Sequence, residues 1–155
     1  MKKTNNKGFS LVELIIVIAI MAILIGVLAP QYIKYVEKSR ESADKDLLDS
    51  VYNACTTAAS DPEITDVPAG EDGGKEVTVD DNTKWGKEVL STLGVDSFED
   101  VVNKIKSKKG GAPDSKSIKI SEDDKGNFTV YTTSINDASG ITVGAGAKDA
   151  SSSGN

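Results

Sequence analysis

The sequence predicts an α+β protein in which one long N-terminal helix is followed by a small antiparallel sheet. Residues 9–29 form an almost unbroken apolar run, and apolar residues between positions 43 and 58 recur every three or four residues, which is the helical period. Near the end of the chain, residues 117–121 and 128–132 alternate between apolar and polar, as half-buried strands do.

The apolar run is the first element of the chain. From Phe9 to Ala29 the residues are nearly all Ile, Leu, Val, Ala, Met or Phe, and Glu13 is the single ionisable exception. As a helix the run would be about 31 Å long, enough to cross the hydrocarbon core of a bilayer. A polar leader, MKKTNNKG, precedes it, and no helix breaker occurs before Pro30. We therefore expect a membrane span.

Glu13 is costly in such a helix. A carboxylate at the centre of a membrane helix costs roughly 2.5 to 3.5 kcal/mol, and less near a helix end. An ionisable residue inside a membrane indicates a functional site, provided that a partner for its charge can be named. The alternative is that Glu13 lies close enough to the membrane surface to be hydrated.

The residues around Glu13 resemble a known signature. Residues 8–14, GFSLVEL, resemble the type IV prepilin motif, with Gly8 before the cleavage point, Phe9 after it and Glu13 fifth in the mature chain. A secretory signal would instead place its small-residue cleavage site after a shorter apolar core. The resemblance is specific over about the first thirty residues. A single cysteine, Cys55, leaves no internal disulfide, and in this the chain resembles many Gram-positive pilins, so the resemblance implies a major pilin of the Gram-positive type.

The resemblance implies a sequence of processing and assembly steps. A prepilin peptidase would cut between Gly8 and Phe9 and methylate the new amino group of Phe9. The precursor would lie in the cytoplasmic membrane as a single-pass protein in contact with lipid, until a pilus assembly platform adds it to an extracellular helical filament of identical subunits. Glu13 would then pair with the N-terminal amine of a neighbouring subunit. The implied architecture is the type IV pilin fold, in which the long helix packs against the antiparallel sheet.

The chain divides on this basis into five segments. They are the leader 1–8, the transmembrane and filament-core helix 9–30, its amphipathic continuation 31–60, a globular α+β head 61–147 and a flexible tail 148–155. We expect Gly26 and Pro30 to kink the helix, because proline removes a helical hydrogen bond and glycine lowers helicity. Asp61 precedes Pro62 and should end the helix.

Local patterns predict the smaller elements. An apolar stripe should face the sheet, with charged residues such as Asp44 mostly on other faces; the stripe comprises Ala43, Leu47, Val51, Ala54 and Ala58. A short strand is expected at residues 76–79, and a helix over 85–93 that begins at Asn82 or Thr83 and ends at Gly94. A capping box at Ser97–Asp100 should open a second helix to about Ser107. Gly126 suits the turn of a hairpin, and residues 141–143 could add a third strand after a turn at 136–140.

Composition argues against catalysis. The chain has no histidine and one cysteine, Cys55, so the usual transition-metal and nucleophile constellations cannot be built. Neither Asp80-Asp81 nor Asp123-Asp124 continues into a calcium loop, and no phosphate-binding glycine motif occurs. We therefore predict no enzymatic activity, no cofactor and no metal site, and expect Cys55 to pack as a small apolar residue.

The charge balance argues against nucleic acid as a specific partner. The net charge is −6, and removal of the leader lysines brings the side-chain charge to −9. Lysines at positions 104, 106, 108 and 109 are expected to lie at a solvated helix end.

We therefore expect a structural subunit of a type IV pilus, used for adhesion, aggregation or twitching motility. The nearer alternative is a minor pilin or pseudopilin of a secretion or DNA-uptake system, and the alternative of another class is a single-span anchored binding module.

Overall fold

A computed structural model describes residues 8–111, 116–132 and 140–145. Helix α1, Leu11–Ser60, is a single element of 50 residues with Pro30 inside it. The chain divides into two compact units whose boundary lies within α1, Met1–Val36 and Glu37–Asn155. In the first unit, the described residues of α1 expose their apolar side chains along the whole run. Of the described residues, only α1 is long and apolar enough to span a membrane, with a mean hydropathy of 3.1 over its most apolar window.

The second unit contains the remaining elements. After α1 come strand β1 (Lys75–Val77), helix α2 (Lys84–Leu93) and helix α3 (Phe98–Val102). A 3₁₀ turn follows at Lys108–Gly110, and then strands β2 (Lys119–Glu122), β3 (Phe128–Tyr131) and β4 (Thr142–Gly144). The strands pair in the order β1-β2-β3-β4, and every pair is antiparallel. The predicted α+β class and the helix-on-sheet arrangement are confirmed.

Both short helices begin, and the first of them ends, at the residues that the sequence predicted. Thr83 caps α2 by accepting the Gly86 N–H, and Gly94 ends it in a left-handed conformation with φ 64°. The Ser97 N–H donates to the Asp100 carboxylate at 3.3 Å at the start of α3. Gly126, with φ 79°, lies in the β2–β3 turn. The capping residues and the hairpin turn are therefore confirmed.

The core of this unit lies between α1 and the sheet. Trp85 of α2 stacks on Phe128 of β3 with ring centroids 5.7 Å apart. The helix contributes a face with spacings of four and three residues, Asp44, Leu48, Val51, Cys55 and Ala58, together with Ala54. The predicted stripe was thus wrong at its first two members. Ala43 is exposed, Leu47 is only half-buried, and Asp44 and Leu48 take the buried positions.

The bounds of several further elements differ from expectation, and one of them is β2, which covers Lys119–Glu122 rather than residues 117–121. The second helix ends at Val102 rather than near Ser107, because the chain turns back along α1, where the N–H groups of Lys106 and Lys108 bond to α1 carboxylates. Strand β1 begins one residue earlier than predicted and ends at Val77, and the last strand covers Thr142–Gly144 rather than 141–143. The predicted turn at residues 136–140 falls mostly outside the described residues, as does the predicted tail at 148–155.

Candidate processing and assembly segment

The predicted cleavage point lies just before α1. Gly8, Phe9 and Ser10 are not helical, and Phe9 is 90% exposed. No atom of the described residues lies within 4 Å of the position that a Cβ on Gly8 would occupy, so this part of the chain places no steric demand for glycine there. A requirement for glycine at this position would have to come from a protein that binds it.

Glu13 closes a capping arrangement at the start of α1. Its Oε2 accepts a hydrogen bond from the Ser10 N–H at 2.9 Å, and the Ser10 carbonyl accepts from the Leu14 N–H at 3.2 Å. Ser10 is therefore the N-cap and Glu13 the third helical residue, as in a capping box. The Ser-x-x-Glu spacing of residues 10–13 is the signal in the sequence from which this arrangement could have been predicted. Glu13 thus has a partner within its own chain.

The apolar run beyond Glu13 has no packing partner among the described residues. Its large side chains are exposed by half or more, and between Leu14 and Leu28 the exposed fraction ranges from 50% at Val17 to 67% at Ile23. Gly26 also lies in open space, with no atom within 4 Å of a notional Cβ. Removing apolar surface from water is favourable by roughly 25 cal/mol per Å², so leaving such a large apolar surface in water is strongly unfavourable. This helix therefore requires lipid or other apolar surfaces around it.

Pro30 and Gly26 stand four residues apart inside α1. Proline has no N–H to donate, so the carbonyl of the residue four positions earlier, which is Gly26, has no partner in the helical ladder. The helix continues through both residues. The structure thus locates the two predicted kink residues in one turn, and the kink itself stays a prediction.

A buried carboxylate of α1 was missed by sequence reasoning. Asp44 is 1% exposed and accepts backbone hydrogen bonds from Lys106, at 2.9 and 3.2 Å, and from Ser107, at 2.7 Å. Seven residues earlier in α1, Glu37 accepts the Lys108 N–H. Two acids of the helix therefore hold the segment that follows α3. Periodicity alone could not reveal this, because an Asp on the apolar face is read as a charge on a neighbouring face.

Two other buried polar groups lie near the sheet. Glu122 of β2 is 4% exposed, and its Oε2 has no hydrogen-bond partner among the described residues; the same holds for the Trp85 Nε1–H. Burial, and then the charge of Asp123, raise the pKa of Glu122 above its usual value. Both groups flank Phe128, which stacks on Trp85 and pairs with Glu122 across the strands.

Cys55 lies in the same core. It is fully buried, and burial raises the pKa of its thiol to about 12. The expectation that it packs as a small apolar residue is confirmed. A thiolate, the form that reacts or binds metal, is therefore suppressed while the head is folded.

The two Asp pairs serve as turn residues. The Asp80 carboxylate accepts from the Asn82 N–H and side-chain amide, and these bonds hold its pKa below the usual value. Asp123 accepts likewise from the side chain and N–H of Asn127, with the same effect on its pKa. Across the described ranges, no three His, Cys, Asp or Glu residues are grouped so as to hold a metal ion.

Comparisons with known proteins agree with the N-terminal geometry. Residues 3–29 match the family model of the prokaryotic N-terminal methylation motif. The chain is 33% identical over 129 residues to the type IV major fimbrial protein FimA of Dichelobacter nodosus, covering 69% of this chain and 80% of FimA. It is 43% identical over 50 residues to the type IV major pilin protein PilA of Myxococcus xanthus, covering 32% of this chain and 23% of PilA. No solved structure matches the chain significantly.

These matches decide the family but not the subtype. They give no support to the narrower expectation of a Gram-positive-type pilin, which stays a prediction. The match to FimA extends well beyond the N-terminal motif into the head, and the helix-on-sheet architecture is the one that the motif implied. The chain belongs to the type IV pilin family.

Proposed function

We propose that this chain is made as a prepilin, cut after Gly8, methylated on Phe9 and polymerised into an extracellular type IV pilus fibre of identical subunits. The exposed apolar helix that begins two residues after Phe9 carries the proposal. Such a surface is stable in lipid before assembly, and packed against copies of itself afterwards. The peptidase, the assembly platform and the single-pass topology in the cytoplasmic membrane belong to the proposal. So do roles in adhesion, aggregation or twitching motility, whereas catalysis does not.

Cleavage would change the charge balance of the helix start. Before the cut, the nitrogen of Phe9 is a neutral amide; after it, the nitrogen is an amine that can carry a positive charge. The amine would then lie close to Glu13, which accepts from Ser10 in the uncut chain. Inside a filament core neither charge could be hydrated, so each would need the other. Pairing between the amine of one subunit and Glu13 of the next would favour one fixed stagger.

The processing step is tested by Gly8→Val. We expect the precursor to accumulate in the membrane without fibres, because a bulky residue should not fit a peptidase site built for glycine. Asn5→Val, three residues earlier in the leader, is the control and should be cut normally. The measurement is N-terminal sequencing of the exported protein, which should show methylated Phe in the wild type. An uncut Met on the surface protein would instead identify an anchored binding module.

The pairing step is tested by Glu13→Gln. The variant keeps the size and a hydrogen-bonding group, and should insert at least as readily because a neutral amide is cheaper to desolvate. We expect it to be cut after Gly8, to remain in the membrane and to yield few or no fibres. Glu88→Gln, on the exposed face of α2, is the matched control. Normal fibre yield from Glu13→Gln would refute the pairing step.

The weakened turn at Gly26 and Pro30 is part of the proposal, as a site where the helix can bend when subunits pack. Pro30→Ala would restore an N–H donor for the Gly26 carbonyl. Amide hydrogen exchange over residues 26–34 of the full chain in detergent should then slow. Exchange as fast as in the wild type would show that the turn is not weakened by proline.

Whether the chain is the main subunit or a minor one is a question of abundance. We propose the main subunit, since both matched relatives are named as major pilin or fimbrial proteins. Purified fibres made chiefly of this chain would support that, and fibres containing only traces of it would favour the minor-pilin or pseudopilin alternative.

A further inference from the structure

The segment Lys104–Lys109, here called the lysine loop, carries four exposed lysines in six residues. It is not the solvated helix end that the sequence predicted, because α3 ends at Val102. Its backbone is held instead by α1. The Asp44 carboxylate accepts hydrogen bonds from the N–H groups of Lys106 and Ser107, and the Glu37 carboxylate accepts one from the N–H of Lys108.

The lysine side chains of this fixed loop are mostly without acidic partners. Lys109 pairs with Glu41 at 3.0 Å. Within the described part of the chain, Lys104, Lys106 and Lys108 make no ion pair. A fixed backbone lowers the ordering cost of binding, because only the side chains must still be immobilised. The loop is therefore a preorganised cationic surface, and the described part of the subunit neutralises only the charge of Lys109.

A complementary surface lies at the opposite end of α3. A cleft of about 370 Å³ is lined by Asp80, Asp81 and Asp96, and none of the described lysines or arginines lines it. Asp81 and Asp96 are exposed and, among the described residues, have no cationic partner. Asp80 is engaged with Asn82 and keeps its negative charge.

We propose that the lysine loop of one subunit docks against this acidic cleft of the next subunit. The inference rests on the proposed filament. Mature subunits with a side-chain charge of −9 repel one another, so close packing of heads needs local pairing of opposite charges. Loop and cleft are different patches of one chain, and a contact between different patches repeats without closing, as a helical fibre requires.

The partner is a second copy of this chain rather than a polyanion such as DNA. The acidic groups that surround the head would repel a long polyanion that touched more than the loop, and the salt-dependent affinity of such partners grows with the number of cations in contact. An acidic cleft on an otherwise identical neighbour meets the loop through a small surface and avoids that penalty.

The test is a charge swap in cells that make fibres from the full chain. Lys106→Asp with Lys108→Asp should lower the sheared-fibre yield about tenfold or more, since like charges would then face each other. The matched control, Lys87→Asp with Lys125→Asp, makes the same change of charge at exposed sites elsewhere and should leave the yield within about twofold of the wild type. Membrane level and N-terminal cleavage of each variant are measured alongside, and both should be unchanged.

The rescue decides the partner. Asp81→Lys with Asp96→Lys should by itself also lower the yield, and its combination with the loop variant should restore fibres, because the pair of charges is only exchanged. The inference is overturned if the loop variant makes fibres normally, if the control loses as much as the loop variant, or if the combination stays as poor as either parent. If the loop variant makes normal fibres but loses binding of a 30-base-pair DNA duplex that the wild type binds, the inference is overturned in favour of a polyanion as the partner. A wild type that makes no fibres would instead refute the proposed function.

Discussion

Replacing Asp44 by alanine should destabilise the head more than any single surface change. The substitution leaves two backbone N–H groups, of Lys106 and Ser107, without the carboxylate they now contact at 2.7 to 3.2 Å. A hydrogen bond to a charged group is worth about 1.5–3 kcal/mol, so the two donors together are worth about 3–6 kcal/mol of unfolding free energy. That is a large part of the about 5–15 kcal/mol that stabilises a typical domain.

The expected signal is a fall in melting temperature of about 12–24 °C, taking about 4 °C per kcal/mol for a head of this size. Trp85 is the only tryptophan and is fully buried, so its fluorescence follows unfolding of the head in the full chain held in detergent micelles. Asp46→Ala, two residues further along α1 and exposed, should change the melting temperature by no more than about 2 °C. If Asp44→Ala melts within a few degrees of the wild type, the carboxylate does not hold the lysine loop.

Three further experiments test the head. Glu122→Gln should raise the unfolding free energy at pH 7, because the raised pKa of Glu122 means that the folded state prefers the neutral carboxyl group. The stability that the neutral group contributes is complete below the unfolded-state pKa and is lost as the pH rises through the folded-state pKa. The advantage of the variant in urea unfolding should therefore shrink towards acid pH, and an advantage independent of pH would contradict the reasoning. Leu48→Ala should cost about 2–5 kcal/mol and Leu47→Ala clearly less, since only Leu48 is fully buried; equal losses would refute the assigned face. Gly94→Ala should cost about 1 kcal/mol, because φ 64° suits glycine, and an unchanged urea midpoint would refute that.

Most of the fold could be predicted because its signals are local. The apolar run, the Gly94 stop, the Ser97 cap and the alternating strands each lie within a few residues of sequence, and the structure has each of them in place. The resemblance of residues 8–14 supplied the family, whose helix-on-sheet arrangement does not follow from any local pattern.

Most of the misses share one physical cause, which is the pairing of groups far apart in the sequence. Asp44 lies 62 and 63 residues before its partners, so periodicity assigned it to solvent and displaced the first two members of the predicted stripe by one residue, whereas Val51, Ala54 and Ala58 are buried as predicted. The same contact ends α3 early and turns a supposed helix end into the lysine loop. The Ser10–Glu13 capping pair is the exception, because it is local and its Ser-x-x-Glu spacing predicts it.

Cys55 has a consequence for how the head matures. With one cysteine in the chain, folding waits for no oxidant and no disulfide shuffling, so the head can reach its final state directly after export. A buried thiol with a pKa of about 12 also does not react with maleimides or other alkylating reagents as long as the head is folded. Labelling of Cys55 in living cells would therefore mark only those subunits that are unfolded at the moment of the pulse, and would count the fraction that fails between the membrane and the fibre.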